Sequence, residues 1–263
     1  MGIDKYSLLV GRDVKINNYI TLKVPTVKEI LKYGQNKYFE LVSLLTSTSY
    51  QHLLYFHENG KDYRDIDDYT VFLLSISQIT SEDSYMVFKN LDITKLQLST
   101  KNKENEEDNN INNTNNTFDD VVVINKEGEI VIDECTYYII VDYLREMCGL
   151  ERIHRIAGNE ATYDIYIREA RREIEIERMK KERGINTNSN IDIIYPLIST
   201  LCNSVGFKYK HNEIENQSFY LLVDSANRLK AIEHAQNLMR GIYGGTIDPN
   251  NVKDKEINYW RKL

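Results

Sequence analysis

The chain has 263 residues, of which 41% are hydrophobic and 28% are charged, ordinary proportions for a globular protein with its own core. No apolar run reaches the roughly 20 residues that cross a bilayer, and the N-terminus lacks the pattern of an export signal, so we expect a cytoplasmic protein without a membrane partner. Three widely spaced cysteines exclude a disulfide framework and favour reduced thiols.

The net charge of −7 is concentrated in one central segment. Residues 99–134 carry 3 basic and 10 acidic side chains, whereas residues 1–98 carry 11 and 12, and residues 135–263 carry 19 and 18. A protein that binds DNA or RNA normally presents a basic face, because neutralising phosphates supplies most of its affinity. Neither flanking part has a basic excess, so the sequence predicts no nucleic-acid partner.

Short antiparallel strands are predicted at the start of the chain. The stretches YSLLV and VKINNYITLKV alternate apolar and polar residues around the turn-prone residues 11–13. Thr26 and Glu29 then form a capping box, which predicts a helix that begins near residue 27 and ends at Gly34.

Three more helices are predicted in the N-terminal half. They lie at residues 36–45, 49–56 and 67–76, and Ser49 and Asp67 are the predicted N-caps of the last two.

The middle of the chain predicts a small sheet interrupted by an insert. MVF and ITKLQL around residues 86–98 are predicted to be extended, and VVVINKEGEIVID predicts a hairpin around residues 126–128. Residues 100–119 are a predicted disordered insert, since an asparagine-rich tract buries too little apolar surface to offset its ordering entropy. We favour pairing of VVVIN with ITKLQL, which places the insert inside one sheet; a domain boundary is the alternative.

The C-terminal half is predicted to be helical. Its predicted helices are one capped by Asp133 and ended by Gly149, a charged one at residues 160–183, one near Pro196, one at residues 217–240 and a short one after Pro249. In the charged helix, Tyr163, Ile167, Ala170 and Ile174 form one apolar stripe. The predicted fold class is therefore α+β and mostly helical, with an α+β domain at residues 1–134 and a helical domain at residues 135–263.

Motifs that carry catalytic chemistry are missing from the sequence. It contains no phosphate loop, nucleophile elbow, HExxH or CxxC, and its histidines are scattered, so we predict no enzyme and no catalytic, cofactor or metal residue. The one tight carboxylate cluster, Asp65, Asp67 and Asp68, allows either a cation site or the capping of a helix N-terminus. The 19 tyrosines fit either a binding surface or a biased composition.

The C-terminal half resembles a family encoded in tail-gene clusters of phages that infect Gram-positive bacteria. The resemblance lies in YPLISTLCNSVGFKYKHNEIENQSFYLLVDSANRL and LMRGIYGGTIDPNNVKDKEINYWRKL, and TVKEILKYGQNKYFELVSLL is also similar. The matching residues are Pro196, Leu197, Ile198, Ser199, Gly206, Phe207, Lys208, Tyr209, Asp224, Ser225, Arg228, Gly241, Tyr243, Gly245, Ile247, Asp248, Asn258, Trp260 and Leu263. The chain departs from the family pattern at Val205, at Gly244, and at Tyr259 ahead of the tryptophan.

This resemblance implies a non-enzymatic morphogenesis protein, most directly a tail assembly chaperone. Such a chaperone keeps the tape-measure protein soluble in the host cell cytoplasm until tail-tube subunits polymerise around it. The implied partners are those tail proteins, and self-association is a further option. A structural virion subunit of the baseplate, neck or tail completion is the alternative, and a DNA-binding regulator is less favoured.

The predicted partner-binding residues are Tyr243, Tyr259, Trp260 and Leu263. Residues 244–249, with two glycines and a proline, are predicted to let the terminal helix fold back or swing out. Trp260 is the only tryptophan, and it has two interpretations: a partner-binding anchor, or a side chain that docks on the body and holds the C-terminus in place.

Overall fold

A computed structural model describes residues 3–100, 121–184 and 192–258 of the chain. Helices account for 61% of it and strands for 8%, which confirms the predicted mostly helical α+β class. The strands pair in two antiparallel sheets, β1 with β2 and β3–β4–β5. Their bounds are Val14–Lys15 (β1), Thr21–Leu22 (β2), Gln97–Thr100 (β3), Val121–Ile124 (β4) and Ile130–Ile132 (β5).

Most of the first helices begin next to a residue whose side chain caps the helix N-terminus. They are α1 (Lys5–Leu9), α2 (Val27–Tyr33), α3 (Gln35–Thr46), α4 (Leu53–Glu58), α5 (Asp68–Ile76) and α6 (Ser81–Val87). The Thr26–Glu29 capping box, the end of α2 at Gly34 and the Asp67 cap of α5 are confirmed. The predicted Ser49 cap is wrong, because Thr48 forms a capping box with Gln51 and residues 49–52 are a 3-10 helix ahead of α4.

The prediction of a strand at YSLLV is wrong, because α1 occupies it. The Asp4 carboxylate accepts hydrogen bonds from the backbone N–H of Ser7 (3.1 Å) and from its hydroxyl (2.7 Å). The first of these bonds satisfies one free N–H group of the first helical turn, and Ser7 and Leu8 are buried side by side rather than on opposite faces. The local cap therefore decides the conformation over the alternating pattern.

The extended prediction for residues 86–98 is correct at Phe88, which forms an antiparallel bridge with Leu22, and at the end of the range. Thr80 and Asp83 form a capping box that starts α6, so Met86 and Val87 close a helix instead of opening a strand. A 3-10 turn at residues 93–95 follows, and β3 begins at Gln97. Here the helix-start signal lies ahead of the apolar run, whose own residues favour a strand.

The pairing predicted across the insert is confirmed. β3 runs antiparallel to β4 with Leu98 opposite Val123, and β4 turns back into β5 through the predicted hairpin. Residues 101–120, which contain nearly all of the predicted disordered insert, lie outside the described residues.

The second half consists of helices, as predicted. They are α7 (Glu134–Cys148), α8 (Glu160–Glu182), α9 (Ile194–Asn203), α10 (His211–Ile214), α11 (Phe219–Tyr243) and α12 (Asp254–Ile257). Asp133 accepts the N–H of Thr136 at 2.8 Å and starts α7. Gly149 ends α7 in the left-handed conformation, with φ of 64°, and a Cβ there would lie 2.8 Å from Val223 Cγ1. Gly149 thus permits both the turn and the close approach of α7 to α11.

One hydrophobic core contains side chains from both halves. Leu8, Tyr38, Tyr137 and Leu222 are among its members, each at most 1% exposed. A satellite cluster joins α4 to α8 through Phe56 and neighbouring side chains. The division of the chain at residue 134 stays a prediction.

Buried tyrosines connect distant segments. The hydroxyl of Tyr143 accepts the N–H of Asp4 at 2.9 Å. The Tyr63 hydroxyl donates to the carbonyl of Arg155 at 3.0 Å and accepts the N–H of Ala157 at 2.9 Å. The buried members are Tyr38, Tyr63, Tyr69, Tyr137, Tyr143, Tyr163 and Tyr220. A large part of the tyrosine content therefore serves packing, with each ring filling space and the hydroxyls of Tyr63, Tyr69, Tyr143 and Tyr220 hydrogen-bonded to polar partners.

Helix α8 leaves the body halfway along its length. Asn159 caps it, and Tyr163 and Ile167 are buried as the predicted stripe requires. The stripe prediction is wrong for Ile174, which is 59% exposed, and every residue from Arg171 to the end of the helix is exposed. The second half of α8 is therefore a helix surrounded by solvent.

Candidate functional site

The surface with the clearest capacity to bind a partner runs along α11. Ser218 caps this helix by accepting the N–H of Leu221 at 3.2 Å, and its first residues, from Phe219 to Leu222, enter the core. Beyond them Ala235 is the one buried residue of α11. Most of this 25-residue helix therefore lies across the surface, and several apolar side chains remain half exposed.

The segment after α9 forms the opposite wall. Helix α9 ends at Asn203 with Ser204 as its C-cap, and the rings of Phe207 and Tyr209 pack against each other with centroids 5.8 Å apart. Both rings are partly buried against the core. The thiol of Cys202 donates to the carbonyl of Tyr209 across 3.9 Å and holds this segment against the end of α9.

Together with the end of α1, these walls enclose a groove of about 550 Å³. Its lining residues are Leu9, Val10, Gly206, Phe207, Lys208, Tyr209, Gln217, Leu221, Ser225, Arg228, Leu229 and Ile232. Most of these are apolar, and Val10 is 49% exposed. The groove is therefore an open apolar surface with a few charged groups at its margin.

A second hollow of about 640 Å³ continues the groove toward the end of α11. The two share Leu229 and Ile232, and the second extends past Glu233 and Gln236 to Arg240. Val205, which is 99% exposed, stands on its other margin. We call the two hollows together the α11 groove.

Charged side chains in the α11 groove are mostly basic. Arg228 donates from Nε to Asp224 at 2.7 Å, and this hydrogen bond raises the pKa of the guanidinium. Lys208 and Arg240 add two further cations, whereas Glu233 is the acidic lining residue. The α11 groove therefore consists of an apolar hollow and a more polar one, and apart from the Arg228–Asp224 pair its lining has two basic side chains and one acidic side chain.

The chain reverses direction in a defined turn at the end of α11. The Gly241 carbonyl accepts the N–H groups of Thr246 at 2.9 Å and Ile247 at 3.1 Å, and also the Thr246 hydroxyl at 3.1 Å. A Cβ on Gly241 would lie 2.4 Å from Ile247 Cδ1, so glycine is what lets the returning chain lie against the helix. Helix α12 then packs on α11.

The structure places one of the four predicted partner-binding residues. Tyr243 is the last residue of α11 and is 82% exposed, beyond the residues that line the α11 groove. Tyr259, Trp260 and Leu263 lie outside the described residues, so their partner-binding role stays a prediction.

Residues that line the groove were missed as site residues, although the sequence carried a signal for them. Six of the residues on which the predicted resemblance rests lie together there: Gly206, Phe207, Lys208, Tyr209, Ser225 and Arg228. In the sequence they belong to two separate motifs, and Leu9 and Val10 come from the far end of the chain. Only the fold brings these segments together.

The aspartate cluster of the N-terminal half serves the structure. Asp67 caps α5 by accepting the N–H of Thr70 at 2.5 Å, as the capping interpretation predicts. Asp68 is buried and accepts hydrogen bonds from Ser49 N–H at 2.9 Å and from Arg152 at 2.5 Å. Across residues 3–100, 121–184 and 192–258, no group of three or more histidine, cysteine or acidic side chains is arranged to hold a metal ion.

A second charged cluster joins α2, α3 and α6. Desolvation opposes ionisation of Asp83, but hydrogen bonds from Tyr33, Thr80 and Lys37 outweigh it and lower the pKa of this carboxyl to about 2. Burial and the same carboxylate raise the pKa of Tyr33 above its usual range. These shifts follow from contacts that join helices, and the cluster is therefore structural.

Comparisons with known proteins leave the chain without a match: no family model, curated protein or solved structure is similar to it at a significant level. In the part of the chain that the structure describes, no helix is both long and apolar enough to span a membrane.

Proposed function

We propose that this chain is a non-enzymatic phage tail assembly protein, a tail assembly chaperone that keeps the tape-measure protein soluble while the tail tube polymerises in the host cytoplasm. One observation supports the proposal above the others. Six of the nineteen residues that carry the resemblance to the tail family line the α11 groove. A groove with apolar walls is the kind of surface that recognises a helical segment of another protein.

The dimensions of the groove fit such a role. Its lining positions on α11 run from Leu221 to Arg240, which corresponds to about 29 Å at a rise of about 1.5 Å per residue. This length accommodates five turns of a partner helix. A tape-measure protein is expected to be long and helical, and apolar stripes on unassembled helices associate with one another unless they are covered.

Co-expression with the tape-measure protein tests the function. Ile232→Asp places a carboxylate among the apolar groups that the two hollows share, so we expect the tape-measure protein to move from the soluble to the insoluble fraction. Ile176→Asp is the matched control, because Ile176 is 37% exposed on the solvent-surrounded part of α8. Circular dichroism and unfolding of both variants establish that they fold.

Equal solubility of the tape-measure protein with and without the chain contradicts the proposal. Mass spectrometry of purified virions separates the alternative, a structural subunit of the baseplate, neck or tail completion. A chaperone is missing from mature particles, whereas a structural subunit is present at a fixed copy number.

A further inference from the structure

The part of α11 that lines the groove presents one continuous helix face. Lining residues recur at positions 221, 225, 229, 232, 236 and 240, at intervals of three and four. This spacing is that of a single stripe along an α-helix. In the described chain the stripe has walls on its sides, formed by α1 and residues 203–209, but its open surface carries no covering element.

The polarity of the lining side chains changes along this face. The half nearer the core contains Phe207, Tyr209, Leu229 and Ile232, so an occupant gains most by burying apolar side chains there. The other half is lined by amide and hydroxyl groups from residues 203–204 and 236–237. An occupant is therefore apolar over about three of its turns and polar beyond them.

Basic side chains lie in both hollows of the groove. Lys208 and Arg228 line the apolar hollow, and Arg240 lines the far end of the polar hollow. Arg228 is already paired with Asp224, whereas among the described residues neither Lys208 nor Arg240 forms an ion pair. Arg228 and Arg240 are twelve residues apart, which corresponds to about 18 Å along the helix axis.

We propose that the α11 groove binds an amphipathic helix that carries two carboxylates about eleven residues apart, one facing Lys208 and Arg228 in the apolar hollow and one facing Arg240 at the far end of the polar hollow. Residues i and i+11 of a helix lie on the same face and about 17 Å apart, which matches the separation of Arg228 from Arg240 along α11. Complementary charge selects this occupant over a basic helix, and the apolar stripe supplies most of the affinity. The inference rests on the proposed function only in taking the occupant to be a protein segment.

Two designed 19-residue helices test this chemistry by fluorescence anisotropy with the full chain. The two peptides share one apolar stripe and differ only at two positions eleven residues apart, which are glutamate in one peptide and lysine in the other. We expect the glutamate peptide to bind about tenfold more tightly at low salt, because the lysine peptide places like charges opposite Lys208 and Arg240. The double variant Lys208→Glu, Arg240→Glu should invert this preference.

The apolar contribution is measured separately. Ile232→Asp should weaken both peptides by about tenfold or more, while Ile176→Asp leaves both affinities unchanged. Equal affinity for the two peptides, or a preference that the charge-reversed double variant retains, overturns the inference. So does the absence of binding to the folded wild-type chain.

The two proposals fail in different ways. If the chain keeps the tape-measure protein soluble but shows no preference for the glutamate peptide, the inferred occupant is wrong and the proposed function stands. If the charge preference is observed while the tape-measure protein stays insoluble, the groove binds acidic amphipathic helices and the proposed function is wrong.

Discussion

Replacing Gly149 with alanine tests how closely α7 and α11 are packed. Gly149 has a φ of 64°, and an added Cβ would lie 2.8 Å from Val223 Cγ1. The left-handed conformation costs a non-glycine residue about 1–2 kcal/mol. Forcing a methyl group into a packed contact adds about 1–3 kcal/mol. We therefore expect Gly149→Ala to lower the free energy of unfolding by about 2–5 kcal/mol.

Gly60→Ala is the matched control. Gly60 has a φ of 70°, but no atom lies within 4 Å of the position where its Cβ would be. Only the backbone cost applies there, about 1–2 kcal/mol, so the difference between the variants measures the contact with Val223. Urea denaturation of both variants gives the two free energies. Adding Val223→Ala to Gly149→Ala should recover part of the loss.

Equal destabilisation by the two glycine substitutions would refute the close approach of the helices. A stabilising effect of Gly149→Ala would also refute the left-handed end of α7. In thermal unfolding the expected difference between the variants is several degrees, since about 1 kcal/mol shifts the midpoint of a chain of this size by about 2–4 °C.

Three further outcomes are expected. Hydrogen bonds lower the pKa of the folded Asp83 carboxyl to about 2, below its ordinary value near 4. Its contribution to stability is therefore complete above about pH 4 and is lost as the pH falls through about 2. In urea unfolding across this range, Asp83→Asn should lose less stability with falling pH than the wild-type chain. Asp68→Asn should cost about 1–3 kcal/mol in the same assay, because it weakens a buried acceptor whose partner Arg152 is partly exposed. Burial raises the pKa of the Cys148 thiol to about 12 while Cys135 is exposed, so Cys135→Ser should reduce the number of thiols that react quickly with a thiol reagent, and Cys148→Ser should leave that number unchanged.

Helix boundaries were predictable where a capping group stands next to its helix in the sequence. The Thr26–Glu29 box, Asp67, Asp133 and Gly149 all act within four residues, and the structure confirms each of them. The same chemistry explains the errors. Asp4 converts an alternating stretch into α1, because a hydrogen-bonded cap outweighs a weak strand pattern over five residues.

The α11 groove could not be predicted in this way. Leu9 and Leu229 lie on the same groove although more than two hundred residues separate them in the sequence. Periodicity indicates that one face of a helix is apolar, but it does not tell whether a neighbour covers that face. For α11 the predicted helix is confirmed, and its first turn is covered while the middle is left open.

The exposed second half of α8, from Arg171 to Glu182, makes the helix content of the chain sensitive to salt concentration. From Arg171 to the end of the helix every residue is exposed, and isolated helices of about 12–15 residues are marginal in water. Its helicity therefore depends on pairs such as Arg178 with Glu182, whose atoms are 3.0 Å apart and open to dissolved ions. Rising ionic strength should therefore unfold the second half of α8 from its C-terminal end while the packed body keeps its structure. The length over which this half stays helical is then set by the salt concentration.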